Sequence, residues 1–433
     1  MTKDRARKAS GNGFVADKTL LKRQSRRKFL KQTGAALAAS ALGAVPLRGW
    51  AADPINIGAL YPTTGSMAQI GVGCVAAAKL AVDMINDAGG IKSLGGAKMK
   101  LIISDAGDSA EKAKNAAQRL VAQEPNVVGG FGAWLSSFTL AVTEVTERAD
   151  LPWLTLSYSD QITARGFHYV FQTSATGDRQ SELALPTVMK LAESTTGKNP
   201  TTTAVIQDNT AAPVSFMKPM RGGGFEKAGL KVLVDEIYTP PLSDATPLVS
   251  KVRTARPDFL WVVSTSIPDD SQIMQKLAEM GIPANRLPAV GNGAHLGAPE
   301  LAKVAGADVL EGLLVTVANW SNDGQRQLIE DFKKRTGEPW LTQDSLCAYG
   351  HVWILKEAVE KAGAADRKKV AEAIRAMDTT EGPARYFAGN RLKFDDKGRR
   401  VDAPLVIFQW QKGQPVTVYP QGPGSAKAVW ASK

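Results

Sequence analysis

Short apolar runs alternate with amphipathic segments along most of the chain. Residues 55–61 are almost entirely apolar, which is typical of a buried β-strand, and residues 71–86 repeat apolar side chains such as Val75 and Ala78 at helical spacing. Two glycines at 89–90 end that helix. Further strands are predicted at 98–104, 126–130, 152–156, 202–207, 231–237, 259–263 and 313–317, and further helices at 109–123, 136–148, 213–228, 247–254, 270–280, 324–336, 343–362 and 367–377.

This regular alternation predicts parallel sheets with helices on both faces. It occurs in two runs, one ending near residue 156 and one beginning near residue 202. No low-complexity linker separates the runs, so we expect two α/β lobes joined by short hinge strands. A strand pair at 403–410 and 414–419 closes the chain.

The first 51 residues have the features of an export signal. Residues 25–31 read SRRKFLK, an apolar run follows at 34–45, and the small residues Gly49 and Ala51 mark a cleavage site, with a rival site after Ala52. The apolar run is too short for a stable membrane anchor. The arginine pair resembles a twin-arginine signal, so we expect export by the twin-arginine machinery and a periplasmic mature protein. No cysteine stands at the junction, so a lipoprotein anchor is not predicted.

The net charge of +11 does not indicate nucleic-acid binding, because it is concentrated in the leader. Residues 1–51 hold twelve Lys and Arg against two acids, which leaves a net charge of +1 for the rest of the chain. The nearly neutral remainder of the chain lacks the clustered positive charge that binding to a phosphate backbone requires. The length of 433 residues suits two or three domains.

The two cysteines, Cys74 and Cys347, lie in helix-like segments. Neither belongs to a local cluster of metal-ligand spacing, so both are predicted to be small buried side chains, with a single bridge between them as the alternative.

Enzyme motifs are missing from the sequence. It has no phosphate-binding glycine loop, nucleophile elbow or zinc-protease helix, so neither a cofactor nor a metal is predicted. The three histidines, His168, His295 and His351, are far apart, and only His295 follows a glycine-rich loop. A secreted α/β hydrolase, which would need a nucleophile beside a base, and a structural or adhesion role are therefore weaker alternatives than ligand binding.

Ligands of open α/β sheets bind in loops at the carboxyl ends of strands. The loop at 62–67 is one such place, and others carry hydroxyls that, together with helix amides, suit a carboxylate or carbonyl group. Trp134 lies in one of these Gly/Ser loops. This position favours a role in the wall of a binding cleft over a place in the core. For each of these loops, helix capping or turn formation is the alternative role of its residues. The candidate ligand-binding residues are Trp134, Ser136, Ser137, Ser157, Tyr158, Ser159, Asn292 and His295.

Several segments, in order, resemble the leucine/isoleucine/valine-binding family of periplasmic proteins. They are INIGALYPTTG at 55–65, AAAKLAVDMIN at 76–86, AGGI at 88–91, GF at 166–167 leading to FQT at 171–173, EGLLVT at 311–316 and VIFQW at 406–410. The resemblance covers nearly all of the chain after the leader.

The resemblance implies a type I periplasmic-binding-protein fold, with two doubly wound lobes joined by a three-strand hinge. Lobe one would comprise 53–173 and 312–395, and lobe two 174–311 and 396–433. The ligand would bind between the lobes, a hinge motion would close them, and an ATP-binding-cassette (ABC) permease would recognise the closed form. A sensor that reports to a regulator is the alternative within the same fold.

Carried over by position, Ser136 and the segment 157–159 match the loops that hold an amino acid in this family. The family's lobe-two acid, which pairs with the ammonium group, falls at Asn292, which is neutral, and no aromatic residue stands at 211–213 or 266–267. A buried ammonium without its carboxylate is costly. An α-amino acid is therefore a weaker candidate than an apolar or aromatic carboxylate, or an amide, which Trp134 and Tyr158 would suit; carboxylate, amide and amino acid all stay open as ligand classes.

Overall fold

The structure is a computed structural model that describes residues 53–65, 67–321 and 323–431; the predicted export signal lies outside the described residues. The strands are β1 (Ile55–Tyr61), β2 (Met99–Asp105), β3 (Val127–Gly132), β4 (Trp153–Thr155), β5 (Val170–Gln172), β6 (Thr202–Asp208), β7 (Lys231–Tyr238), β8 (Phe259–Val263), β9 (Ala289–Asn292), β10 (Leu314–Val317), β11 (Asp378–Thr379), β12 (Leu392–Lys393), β13 (Val406–Gln411) and β14 (Gln414–Tyr419). The helices are α1 (Ala68–Asp87), α2 (Ala110–Gln123), α3 (Ser136–Arg148), α4 (Gly177–Thr196), α5 (Ala211–Pro219), α6 (Phe225–Lys227), α7 (Thr246–Ala255), α8 (Ile267–Glu279), α9 (Pro299–Ala305), α10 (Ala307–Leu310), α11 (Arg326–Thr336), α12 (Gln343–Ala362) and α13 (Arg367–Arg375). Short 3-10 turns lie at Lys92–Leu94, Asp160–Ile162, Ala294–Gly297, Asp323–Gln325 and Gly382–Tyr386, and a π-helical turn at Met220–Gly224.

The first sheet has the strand order β2-β1-β3-β4-β5, and all its strand pairs are parallel. Strand β3 is buried along its whole length, as a parallel strand covered by helices on both faces should be. A Cβ atom on Gly130 would lie 2.4 Å from the ring of Trp153 in β4. Close packing of that ring against the β3 backbone therefore requires glycine at this position.

The second sheet has the order β14-β13-β10-β9-β8-β6-β7. Its strands from β10 to β7 are parallel, and the β13–β14 hairpin adds antiparallel strands at one edge. The two sheets confirm the predicted α/β class of two doubly wound units. Strand β10 pairs with β9 and β13, so residues 314–317 lie with the strands assigned to lobe two, although lobe one was predicted to resume at 312.

Two segments that connect the sheets hydrogen-bond to each other. The amide of Gln172 donates to the carbonyl of Gly398 over 2.8 Å, and the amide of Arg400 donates to the carbonyl of Gln172 over 2.9 Å. These bonds tie the end of β5 to the segment that leads to β13. The lobe boundaries that the sequence predicts at 173–174 and 395–396 lie beside these two segments.

Helix α1 is a core helix that packs on α12. Its length and mean hydropathy of 1.5 would allow it to cross a membrane, but 56% of that apolar window is buried within the protein. Cys74 in α1 and Cys347 in α12 are both buried and both free, so the prediction of two small core side chains holds and the alternative bridge is not formed.

Several elements differ from the prediction. Strands β5, β9, β11 and β12 and helices α4, α9 and α10 were not predicted. The predicted helix at 213–228 is interrupted after Pro219 by the π-helical turn, in which Gly223 has a φ of 105°. Helix α4 was not predicted, since its polar composition and an internal proline, Pro186, obscure the helical pattern.

Candidate functional site

The carboxyl ends of β3, β4, β8 and β9 meet the start of α12 around one small cavity of about 50 Å³. Such strand ends are where open α/β sheets bind ligands. The lining residues are Trp134, Leu135, Ser136, Leu156, Ser157, Tyr158, Ala212, Pro213, Ser264, Thr265, Asn292, Gly293, Ala294, His295, Gln343 and Asp344. The cavity therefore lies between the loops of the first sheet and those of the second.

The structure brings six of the eight predicted site residues to this cavity. They are Trp134, Ser136, Ser157, Tyr158, Asn292 and His295. Ser137 and Ser159 do not line it, and neither do the described residues of the loop at 62–67. The hydroxyl of Ser159 instead accepts from the amide of Gln161 over 3.4 Å and caps a 3-10 turn.

Trp134 is held in the cavity wall by an unusual turn between β3 and α3. Gly132, Ala133 and Trp134 have φ values of 113°, 68° and 44°, and a left-handed conformation is rare for bulky residues. The hydroxyl of Ser157 donates to the Trp134 carbonyl over 2.7 Å and fixes the turn from the neighbouring strand. Strained turns of this kind concentrate at functional sites.

Ser136 joins two loops of the first sheet. Its hydroxyl oxygen accepts from the amides of Tyr158 and Ser159, over 3.2 and 3.1 Å. It therefore holds the 157–159 loop against the start of α3. Both loops reach the cavity as one unit.

Tyr158 contacts Gln343, a site residue that the sequence did not indicate. The Tyr158 hydroxyl donates to the Gln343 side-chain oxygen over 2.9 Å, and the amides of Ala318 and Asn319 donate to the same oxygen, each over 2.9 Å. Gln343 thus joins the first sheet's loops to the segment that follows β10.

Asn292 is anchored at the end of β9. Its side-chain nitrogen lies 3.1 Å from the side-chain oxygen of Gln180 on α4, 3.2 Å from the carbonyl of Thr316 and 3.1 Å from the Thr316 hydroxyl. The side-chain amide protons of Asn292 are therefore directed to protein oxygens. Its side-chain oxygen, Oδ1, is the atom that remains to contact a ligand.

His295 lines the cavity and faces the carboxylate of Asp270. Its Nε2 lies 3.1 Å from Oδ2 of Asp270, with neither residue more than 7% exposed. The two atoms lack the alignment of a hydrogen bond, so the contact is mainly coulombic. Burial on its own lowers the pKa of His295, but the neighbouring carboxylates, Asp270 first, raise it above the usual value.

Further carboxylates lie close by. Asp208, at the end of β6, accepts from the hydroxyls of Thr210 and Thr265, each over 2.7 Å. Burial raises its pKa. Asp269, next to Asp270 on α8, accepts from the amide of Leu242 over 3.1 Å and does not line the cavity.

Asp344 is the acidic residue that lines the cavity in the part of the chain that the structure describes. Burial raises the pKa of its carboxyl to about 6, against the charge of His295 and hydrogen bonds from the side chains of Trp134 and Gln343. Sequence reasoning missed Asp344, because the helical pattern shows where α12 begins but not that this helix starts at the cleft.

A larger cavity of about 950 Å³ lies at the opposite, amino-terminal ends of β1 and β3. Its walls include Asp53, Asn56 and Arg367, and it contains none of the predicted site residues. Because ligands of such sheets bind at the carboxyl ends, the smaller cavity is the candidate site.

The chain is similar in sequence to known proteins of one family. A family model described as periplasmic binding protein matches residues 54–415. The Leu/Ile/Val-binding protein homolog 8 of Brucella melitensis is 28% identical over 383 residues, covering 86% of this chain and 92% of that protein. Homolog 7 of the same organism is 29% identical over 394 residues, covering 89% and 95%.

Solved structures share the fold. The branched-chain amino acid transporter substrate-binding protein LivJ of Streptococcus pneumoniae, in complex with isoleucine, has a TM-score of 0.72 at 20% identity, covering 84% of this chain and all of that one. An ABC-transporter solute-binding protein of R. palustris, in complex with benzoate, has a TM-score of 0.71 at 16% identity, covering 88% and 100%.

Proposed function

The chain belongs to the periplasmic binding protein family, and from that premise we propose that it captures a small molecule between its two sheets and delivers it to an ABC permease. The observation that carries the proposal is the cavity itself. Loops from both sheets and the start of α12 line it, so a ligand bound there would touch both halves of the protein at once.

Capture requires a conformational change. A cavity of about 50 Å³ is far smaller than the roughly 300–1,000 Å³ of pockets that hold small organic ligands. An organic ligand must therefore enter an open form, after which the two halves close on it by a hinge motion. The ligand shifts the population to the closed form because it contacts both halves only there.

The leader completes the proposal. Residues 25–31 would direct the chain to the twin-arginine machinery, and the protein would act in the periplasm. The Brucella relatives carry the name Leu/Ile/Val-binding protein homolog, which supports a role in solute uptake.

An α/β hydrolase finds no support at the site. The hydroxyl of Ser157 donates to a backbone carbonyl, that of Ser136 accepts two backbone amides, and that of Ser264 donates to Asp270. Among the described residues, His295 faces Asp270, and none of these three hydroxyls hydrogen-bonds to its ring. The site thus offers hydrogen bonding without a nucleophile–base pair.

A thermal-shift screen of the exported protein tests the proposal. The library contains amino acids, amines, amides, and aliphatic and aromatic carboxylates. A true ligand raises the melting temperature, since it binds the folded state alone. A library that leaves the melting temperature unchanged throughout would contradict the proposal. A permease pull-down then separates a transport protein from a sensor.

A further inference from the structure

One carboxylate faces the ligand space. Asp344 lies in the first turn of α12, is 2% exposed and lines the 50 Å³ cavity. A second cavity of about 30 Å³, on the side of Gln69 and Glu338, also has Asp344 in its lining. The carboxylate therefore stands in the wall that the two cavities share.

Helix capping does not account for Asp344. The cap of α12 is Thr342, whose hydroxyl accepts from the amide of Ser345 over 3.4 Å. An acid in a first turn gains from the helix dipole, but that gain does not require burial, and burial disfavours the charged form. The side chains of Trp134 and Gln343 hydrogen-bond to this carboxyl, but neither carries a charge that could balance it. A buried acid in the wall of a cleft, without a countercharge of its own, is a candidate for contact with a ligand.

The cavity has an excess of negative charge. His295 lines it, but its Nε2 already lies 3.1 Å from Asp270. Even a protonated His295 could balance only one of Asp270 and Asp344, and no lysine or arginine lines either cavity within the described ranges. A cation brought by the ligand would correct this imbalance.

We infer that the ligand carries an ammonium nitrogen that donates to the Asp344 carboxylate while its apolar part packs against Trp134 and Pro213. This inference rests on the proposed function and names its ligand class, an organic amine. It departs from the sequence-based preference for an apolar or aromatic carboxylate, or an amide, because a carboxylate at Asp344 would place two desolvated like charges together and an amide would bring no countercharge.

Isothermal calorimetry tests the inference with two matched series. One is benzylamine, benzyl alcohol and benzoate; the other is 3-methylbutylamine, 3-methylbutanol and 3-methylbutanoate, each at up to millimolar concentration. The proteins are the exported wild type, Asp344→Asn and the control Asp269→Asn. Asp269 matches Asp344 as a buried acid in the first turn of a helix, but it does not line the cavity.

We expect an amine of at least one series to bind the wild type, and its alcohol and carboxylate to bind about 30-fold more weakly or worse. Asp344→Asn should lose a similar factor for the amine, while Asp269→Asn keeps the wild-type affinity. A carboxylate that binds as tightly as its amine, an unchanged amine affinity in Asp344→Asn, or no binding by either amine overturns the inference. Those results leave the proposed function standing if another compound of the thermal-shift library binds. If no compound of that library binds, the proposed function is contradicted as well.

Discussion

Replacing Asp344 by asparagine should make the protein more stable at neutral pH. The carboxyl has a pKa of about 6 in the folded protein against an ordinary value of 3.8. Between those two pH values the folded state binds more protons than the unfolded state, so the free energy of unfolding falls as pH rises. The difference of about two pH units corresponds to roughly 3 kcal/mol, which is lost by about pH 6.

Asparagine keeps the shape of the side chain and cannot ionise. The variant should therefore match the wild type near pH 4 and exceed it by roughly 2–3 kcal/mol above pH 6.5. His295 acts in the same direction but at higher pH, because its raised pKa gives stability that is present below about 6.5 and lost as pH rises through its folded value. Burial also raises the pKa values of Asp208 and Asp269, but both proteins contain these residues, so the difference between variant and wild type from pH 4 to 6 reports on Asp344.

Urea titrations followed by circular dichroism, at half-unit steps from pH 4 to 7.5, measure the difference in free energy of unfolding between variant and wild type. Asp396→Asn, which removes an exposed acid, is the control and is measured over the same pH range. A difference between Asp344→Asn and wild type that stays constant across the range, or a variant that is less stable at pH 7.5, would refute the reasoning.

Three further predictions follow from the leader and the core. Changing Arg26 and Arg27 together to lysine should block export, seen as loss of the protein from the periplasmic fraction, and continued export would contradict the twin-arginine assignment. Ser136→Ala leaves two loop amides without their acceptor and should lower the free energy of unfolding by about 1–3 kcal/mol; an unchanged urea midpoint would argue against that role. Because Cys74 and Cys347 are free and buried, a thiol reagent should modify two sites after denaturation and none before, whereas no labelling after denaturation would indicate a bridge.

Much of the fold could be predicted because its helices and strands have a clear period. Helix α12 begins and ends where the sequence placed it, since a threonine cap and a glycine bound a long apolar pattern. Helix α4 was missed because Pro186 and many polar residues weaken that pattern. The break after Pro219 arises from consecutive glycines whose conformation periodicity does not report.

Some residues of the candidate site could likewise be predicted from the sequence, and others could not. Trp134 was predicted because it follows a strand, and strand ends meet at one edge of a sheet; Asn292 and His295 were predicted from the glycine-rich loop in which they lie or which they follow. Asp344 and Asp270 could not be found by that rule, since each lies in the first turn of a helix. Their place at the cleft depends on how distant segments return to it, which no local pattern shows.

The most direct test of ligand capture between the sheets is a thermal-shift screen run in parallel on wild type and Trp134→Ala. Trp134 lines the cavity and is 7% exposed, so its removal should weaken a cleft ligand while the protein still folds. We expect at least one compound to raise the melting temperature of the wild type and to shift the variant much less. A compound that stabilises both proteins equally would bind elsewhere and would contradict the assignment of this cleft.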